Sequence, residues 1–171
     1  MTQPPARVCT TITSPLGPLL LAASAQGLAG VWFKDQRHHP LDTTVASWGE
    51  GGDHPVLQSA ARQLERYFAG EAPGFDLPLD LSAGTPFQQA VWEALLAIPA
   101  ARTHSYTEVA QRVGRPAAVR AVGTAIGRNP LSIVVPCHRV LGAGGALTGY
   151  AGGLDRKAAL LRLECGDGLF A

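Results

Sequence analysis

The spacing of apolar residues changes along this chain, and this change restricts its possible folds more than any other feature of the sequence. Three short apolar runs come first, at 8–13, 19–23 and 28–33, with turn-forming residues such as Pro, Gly and Ser between them. Short runs with such boundaries are typical of strands joined by tight turns. The beginning of the sequence therefore predicts an antiparallel meander of three strands.

A helical repeat follows these runs. Residues 42–53 are polar and rich in glycine, which predicts a loop. Beyond this loop, apolar residues recur at the three- and four-residue spacing of an amphipathic helix that ends at Gly70: Val56, Leu57, Ala60, Ala61, Leu64 and Phe68. We expect this helix to cover one face of the sheet.

The stretch 71–84 contains several prolines and glycines, Pro73 among them, which indicates a linker. After it the pattern is mostly helical, and Thr85 begins it as the cap of a helix with proline at its first position. We therefore predict an α+β protein with an N-terminal domain at 1–84 and a C-terminal domain at 85–171.

Two short helical units, 107–113 and 116–127, are separated only by Gly114 and Arg115, which is the pattern of a helix-turn-helix. On the second unit, Arg120 lies about 130° from the centre of the apolar face, at about 100° per residue. That face consists of Val119, Val122 and Ile126. We therefore expect Arg120 to point outward.

The second unit also carries many small residues: Ala117, Ala118, Ala121, Gly123, Thr124 and Gly127. Small side chains let a helix press closely against another molecule, but tight packing within a protein uses them too. The outward direction expected for Arg120 favours a binding surface over internal packing.

Charge is distributed unevenly between the two halves. Residues 1–84 carry 5 basic and 8 acidic side chains, a net charge of −3, whereas 85–171 carry 9 and 5, a net charge of +4. Between residues 99 and 140 there are six arginines and one acid. Such a local excess suits a phosphate backbone, although a merely solvated basic face would show the same charge.

The sequence disfavours membrane insertion and secretion, since no apolar run approaches the roughly 18 residues of a membrane span. Arg7 before the apolar run 16–23 resembles a signal peptide, but intervening threonines and the turn at Ser14-Pro15 favour a hairpin. Three cysteines without a close pair indicate neither a disulfide framework nor a zinc motif. We predict a cytoplasmic protein in which Cys9 and Cys165 are small buried hydrophobic residues.

Cys137 is different, because an apolar stretch at 131–135, which we expect to be extended, and Pro136 deliver it to a rigid position. A thiol needs a nearby base or positive charge to react at neutral pH, and His138 and Arg139 are the candidates. Adjacent side chains of an extended segment point to opposite faces, so we expect His138 to reach the sulfur through a bridging water.

These residues resemble the signature of the O6-alkylguanine-DNA alkyltransferases. The resemblance covers both predicted domains, in the order and with the spacing of that family. The segments that carry it are Ser105-Tyr106, Arg120-Ala121-Val122-Gly123, Asn129-Pro130, Pro136-Cys137-His138-Arg139-Val140, 149–153 and 160–164.

The resemblance implies a ribonuclease-H-like N-terminal domain, a C-terminal domain with a winged helix-turn-helix, and stoichiometric alkyl transfer without a cofactor. By this resemblance Cys137 is the acceptor, and His138 takes its proton through a water while Glu164 holds the imidazole. From the residues alone, the alternative for Glu164 is a solvated surface acid near the end of a helix. Tyr106 is the fourth catalytic residue that the family pattern implies, since it donates to the base and crowds the target phosphate.

The expected partner is duplex DNA that contains O6-alkylguanine, with the nucleotide flipped out and Arg120 filling the gap. The expected DNA contacts are Arg120, Ala121, Gly123, Thr124 and Arg128. The expected pocket residues are Asn129, Val140, Tyr150, Ala151 and Gly152. We interpret Asn129 as a turn former of the active-site loop rather than a chemical participant.

Some relatives hold zinc in the N-terminal domain, but this half offers only Cys9, His38, His39 and His54, so we expect no metal. Some relatives also have serine in place of Ala151, which puts a hydroxyl contact with the base in doubt. We expect a monomer in solution. The sequence leaves open the preferred alkyl size, activity on O4-methylthymine and cooperative DNA binding.

Three other functions are compatible with parts of the pattern. A non-catalytic protein that binds alkylated DNA would lack the acceptor cysteine, whereas Cys137 is present. A cysteine hydrolase would need a directly paired base and would release its product. A transcription factor would carry several polar base-reading side chains on its recognition helix, where Arg120 stands almost alone.

Overall fold

The computed structural model describes residues 7–71 and 74–168, and it begins with a four-stranded sheet. The strands are β1 (Val8–Ile12), β2 (Leu19–Ser24), β3 (Gly27–Phe33) and β4 (Gly49–Glu50), in the spatial order β3-β2-β1-β4. The first three pair in antiparallel fashion, so the predicted meander is confirmed. β4 adds to the sheet parallel to β1.

The loop predicted at 42–53 is wrong in part. Its beginning is a short helix, α1 (Asp42–Ala46), and its later part contains β4. Five residues are too few to show a helical repeat in the sequence. The two residues of β4 are held by pairing with Val8 and Cys9 of β1, a tertiary contact that has no local signal.

Helix α2 (Pro55–Phe68) packs on β1, β2 and β3, as predicted. His54 caps it, since its Nδ1 accepts a hydrogen bond of 3.2 Å from the amide of Val56. Its buried side chains are Leu57, Ala60, Leu64, Tyr67 and Phe68. Tyr67 extends the predicted apolar stripe by a large side chain with a hydroxyl group.

The C-terminal half contains the expected helices. These are α3 (Pro86–Leu96), α4 (Tyr106–Arg112), α5 (Val119–Gly127) and α6 (Leu154–Glu164), with short strands β5 (His104–Ser105) and β6 (Val140–Leu141) that pair in parallel. Thr85 and Gln88 form the expected capping box of α3.

The predicted helix-turn-helix is formed by α4 and α5, which pack against each other and on α3. Its second helix begins at Val119 rather than at residue 116, because the amide of Ala118 closes a turn on the carbonyl oxygen of Arg115 at 2.9 Å. Gly114 has a φ of 72°, which only glycine adopts readily. It lets the chain reverse directly after α4.

The two halves share one apolar core, in which Phe33 and Leu64 of the first half join Val91 and Leu160 of the second. Main-chain bonds link β3 to the segment before Cys137: the amide of Val31 donates to Pro130, and the amide of Ser132 donates to Val31, at 2.8 and 3.0 Å.

Arg156 of α6 strengthens this junction. It pairs with Asp35 at 2.7 Å, donates to the carbonyl of Leu16 at 2.9 Å and lies over the ring of Phe33 at 4.4 Å. The domain boundary at residue 84 stays a prediction, and Pro73 of the predicted linker lies outside the described residues. In the described ranges, every helix is too short or too polar to cross a membrane.

Candidate active site

The segment before Cys137 is a compact turn rather than the extended stretch that its apolar composition suggested. Ile133 has a φ of 73°, and the amide of Val135 donates back to the carbonyl of Leu131 at 2.9 Å. Cys137 then begins a short 3-10 helix, Cys137–Arg139. The sequence could not reveal this, because the side chain of Asn129 and the edge of β3 organise the turn.

Asn129 connects this turn to the thiol. Its Oδ1 accepts from the amide of Leu131 at 2.9 Å, while its Nδ2 donates to the carbonyl of Val135 at 2.9 Å and to Sγ of Cys137 at 3.2 Å. The expected loop-forming bonds are therefore present. The contact with sulfur goes beyond the turn-former interpretation.

The thiol of Cys137 is nearly inaccessible, with 5% exposure. Burial raises its pKa, and the hydrogen bond from Asn129 and the positive charge of Lys157 oppose this rise without cancelling it. The resting sulfur is therefore protonated at neutral pH, so that a reaction at this atom requires a proton acceptor.

Lys157 is a charged residue of the site that the sequence analysis missed. It is fully buried on α6, and its Nζ donates to three main-chain carbonyls, those of Val140, Thr148 and Gly149, at 2.5, 2.7 and 3.1 Å. Burial lowers its pKa to about 8. Its position three residues before the buried Leu160 was the available signal, since both lie on one helix face.

The imidazole of His138 is completely buried beside Glu164. Burial lowers the pKa of His138, against the opposing effect of Glu164, so the ring is neutral. Its Nε2 lies 2.7 Å from Oε1 of Glu164 and donates to it, because the carboxylate is ionised. Nδ1 is buried and has no hydrogen-bond partner among the described residues. The neutral ring therefore presents Nδ1 as an acceptor.

Glu164 accepts from more groups than His138. Arg139, the second residue expected beside the thiol, reaches this carboxylate with Nη2 at 2.7 Å and Nε at 2.9 Å. The hydroxyl of Tyr67 donates to Oε1 at 2.7 Å. Burial acts to raise the pKa of Glu164, but the bonds from His138 and Arg139 lower it to about 2. Glu164 is thus a buried carboxylate rather than a solvated acid.

Cys137 lines a cavity of about 140 Å³. Of the residues expected from the sequence, Tyr106, Gly123, Tyr150 and Ala151 also line it. The hydroxyl of Tyr106 donates to the carbonyl of Thr148 at 3.3 Å. The cavity thus joins helix α5, the thiol and the segment after β6.

Three residues expected in the pocket, Asn129, Val140 and Gly152, do not line this cavity. Asn129 and Val140 bond to Cys137 and Lys157, respectively. Gly152 is buried, and a Cβ there would stand 2.8 Å from the ring of Tyr150 and 3.0 Å from that of Phe33. Its role in the structure is to permit close packing.

The N-terminal half contributes two lining residues that the sequence analysis missed, Arg37 and His38. They follow β3, and the amide of Arg37 donates to the carbonyl of Ala151 at 2.9 Å. Although His38 is exposed, some loss of hydration and the positive charges of Arg128 and Arg37 lower its pKa. His38 is therefore neutral, and the positive charge on this side of the cavity is that of Arg37 and Arg128.

The face of α5 beside the cavity is open. Arg120, Ala121, Thr124 and Arg128 are exposed, as an interaction surface requires, and Gly123 is half-buried next to the ring of Tyr106. Arg120 points outward, as its helical angle predicted.

The other cysteines lie away from the cavity. Cys9 is half-buried, whereas Cys165 is exposed after α6, so the prediction that it is a buried hydrophobic residue is wrong. Cys165 is exposed because it follows Glu164, beyond the turns of α6 that pack on the core. Within 7–71 and 74–168, no three His, Cys, Asp or Glu side chains cluster in a way that could hold a metal ion.

Two family models match the chain. Residues 8–81 match "6-O-methylguanine DNA methyltransferase, ribonuclease-like domain", and residues 86–166 match "6-O-methylguanine DNA methyltransferase, DNA binding domain". Together these matches cover most of the sequence, including every lining residue of the cavity named above.

Individual relatives agree with the models. Methylated-DNA–protein-cysteine methyltransferases of Mycobacterium bovis and Methanosarcina acetivorans are 51% identical over 154 residues and 50% identical over 151 residues. The first alignment covers 90% of both chains, and the second covers 88% of this chain and 94% of the relative. The crystal structure of Mycobacterium tuberculosis OGT in complex with DNA has a TM-score of 0.81 at 48% identity, covering 94% of this chain and 98% of that one. This chain therefore belongs to the 6-O-methylguanine DNA methyltransferase family.

Proposed function

We propose that this protein repairs duplex DNA by moving the alkyl group of O6-alkylguanine onto Sγ of Cys137. Membership of the family supports DNA repair by alkyl transfer to a protein cysteine, with DNA as the partner. The observation that carries the assignment to Cys137 is its position in the cavity, with a neutral histidine next to it in the chain and a basic helix face alongside.

The proposed reaction is a single displacement. The S–C bond to the alkyl carbon forms as the bond between that carbon and O6 breaks, and the guanine keeps the electron pair. The thiol proton passes through a water to Nδ1 of His138, while Tyr106 donates a proton to the departing base; His138 then releases its proton to solvent, and Tyr106 takes one up from solvent. Overall, a proton replaces the alkyl group on guanine, so the transfer needs no cofactor.

Access to the cavity requires base flipping, because a stacked guanine hides O6 from a buried thiol. We propose that the exposed Arg120 on α5 occupies the vacated place in the stack, and that Arg128 and the neighbouring small residues Ala121, Gly123 and Thr124 contact the backbone. The planar guanidinium of arginine suits this position.

The proposal extends in three respects. O4-methylthymine carries the same alkoxy group on a smaller ring, and we include it as a second substrate. We propose that the protein acts as a monomer. The described cysteines are all free, which favours the reducing cytoplasm as its compartment.

The test is mass spectrometry of the protein after incubation with duplex DNA containing O6-methylguanine. We expect one added methyl group, about 14 Da, on the peptide that contains Cys137. Cys137→Ser should bind DNA but acquire no methyl group, because a hydroxyl is a far weaker nucleophile. DNA binding without any adduct on the wild-type protein would instead support a non-catalytic damage-binding protein. Removal of the alkyl group from the DNA and its release as a free product would support a hydrolase.

A further inference from the structure

Tyr67 is a side chain of the N-terminal half that forms a hydrogen bond with the pair of His138 and Glu164. It belongs to the last turn of α2 and is 2% exposed. Its hydroxyl lies 2.7 Å from Oε1 of Glu164, the same oxygen that His138 contacts at 2.7 Å. A residue 97 positions away in sequence is therefore hydrogen-bonded to the partner of the proposed proton acceptor.

We infer that Tyr67 is a positioning residue that tunes His138 through Glu164, so that the N-terminal domain takes part in the chemistry of the site. This inference rests on the proposed function. The hydroxyl can only donate in this bond, because the buried carboxylate is ionised. Burial and the negative charge of Glu164 raise the pKa of Tyr67 far above its usual range, which keeps the phenol protonated.

The chemical effect follows from the shared oxygen. A donor on Oε1 withdraws negative charge from the atom that faces Nε2 of His138, which weakens the attraction between Glu164 and an imidazolium. Tyr67 therefore restrains the rise in the pKa of His138 that the carboxylate causes. The ring stays neutral to lower pH and keeps its Nδ1 available for the thiol proton.

The same contact fixes the direction of the carboxylate. The Tyr67 hydroxyl and the Arg139 guanidinium hold Glu164 from different elements, and the side chain of Glu164 is 1% exposed. The carboxylate has little freedom to rotate away from His138. Other charged groups at this pair are Arg139 and Lys157, and both act to lower the pKa of His138.

A purely structural role is the alternative. The Tyr67 ring packs edge-on against Phe68, with 5.5 Å between centroids, and lies 5.4 Å from the ring of Phe75. Packing of this kind survives in Tyr67→Phe, which removes only the hydroxyl. Phe68→Leu is the matched control, because it alters the same core and leaves the hydroxyl of Tyr67 in place.

The first measurement is an NMR titration of labelled histidine in the DNA-free protein, with the signal of His138 assigned from His138→Gln. We expect Tyr67→Phe to raise the pKa of His138 by about 0.5 to 1, which is only part of the strength of a hydrogen bond to a charged group, because the effect reaches the imidazole through Glu164. Phe68→Leu should lower the midpoint of urea unfolding and leave that pKa unchanged. An unchanged pKa in folded Tyr67→Phe would overturn the inference.

The second measurement is the single-turnover rate of methyl transfer from pH 5 to 9. The rate of Tyr67→Phe relative to wild type should fall progressively toward acid, up to about three- to tenfold, because more of the histidine is protonated. A constant ratio across the pH range would show that the hydroxyl only supports packing. If the wild-type protein transferred no methyl group, the proposed function would fail, and the NMR titration would still decide whether Tyr67 tunes His138.

Discussion

Replacing Asn129 by alanine tests whether the site stabilises charge on sulfur as it develops. The side chain makes two kinds of contact, with the turn at Leu131 and Val135 and with Sγ of Cys137. Alanine removes all of them and leaves the residues that line the cavity in place. The substitution therefore has separate consequences for stability and for the transfer rate.

The effect on stability follows from the partners that remain. The amide of Leu131 loses its acceptor inside the protein, which costs about 1–3 kcal/mol. The carbonyl of Val135 still accepts from the amide of Cys137 at 2.8 Å, so its loss is only about 0.5–1.5 kcal/mol. We expect the free energy of unfolding to fall by about 1.5–4.5 kcal/mol in total.

The effect on the rate follows from the bond to sulfur, which is 3.2 Å long. A hydrogen bond to a charged acceptor contributes about 1.5–3 kcal/mol, so its loss should slow single-turnover methyl transfer about 10- to 150-fold. Asn129→Asp should be slower still, because it places a carboxylate oxygen where the amide donor stands. Rates are compared at saturating DNA, below the unfolding midpoint of each variant.

Ser132→Ala provides the control, since Ser132 lies in the same buried turn and bonds to Gln36 at 3.1 Å rather than to the thiol. It should lower stability slightly and leave the rate unchanged. A wild-type rate in folded Asn129→Ala would refute the role assigned to its bond with sulfur.

Four further predictions concern the relay, the pH dependence of stability, the DNA face and the buried lysine. Glu164→Gln should slow methyl transfer without abolishing it. In the wild type, the urea concentration at the unfolding midpoint should decrease as the pH is lowered below 6.5, because His138 is protonated more readily in the unfolded chain. It should decrease again between pH 4.5 and about 2, because Glu164 binds its proton more weakly when folded. His138→Gln should reduce the first decline to the part that the lowered pKa of His38 causes, and a decline as large as that of the wild type would assign it to another group. Arg120→Ala should slow reaction with alkylguanine in duplex DNA but barely change reaction with the free alkylated base, and equal slowing of both would exclude a role in base flipping. Lys157→Met should lower the free energy of unfolding by about 2–4 kcal/mol and slow transfer, as urea titration and single-turnover kinetics would reveal, whereas wild-type values would contradict its role as an anchor of the loop.

Regular elements of this fold were predictable because their signals are local. Turn residues delimit β1 to β3, and a capping box and apolar repeat define α3. The turn before Cys137 was not predictable, since its composition suits a strand. Contacts with Asn129 and β3 decide its conformation.

The resemblance to a family placed Cys137, His138 and Glu164 in one site, and the structure brings them together. It gave no indication of Arg37, His38 or Tyr67, because these residues reach the site through contacts between the halves. Such contacts depend on the three-dimensional arrangement and have no pattern in one sequence.

Lys157 has a consequence for the entropy of DNA binding. Fixing one residue of a flexible loop costs about 1–2 kcal/mol at room temperature. The segment between β6 and α6 loses this conformational entropy already when the chain folds, because the ammonium group of Lys157 donates hydrogen bonds to the carbonyls of Val140, Thr148 and Gly149. Under the proposed function, a guanine in the cavity meets a wall that is already ordered, and the affinity gained from its contacts is not reduced by freezing the loop.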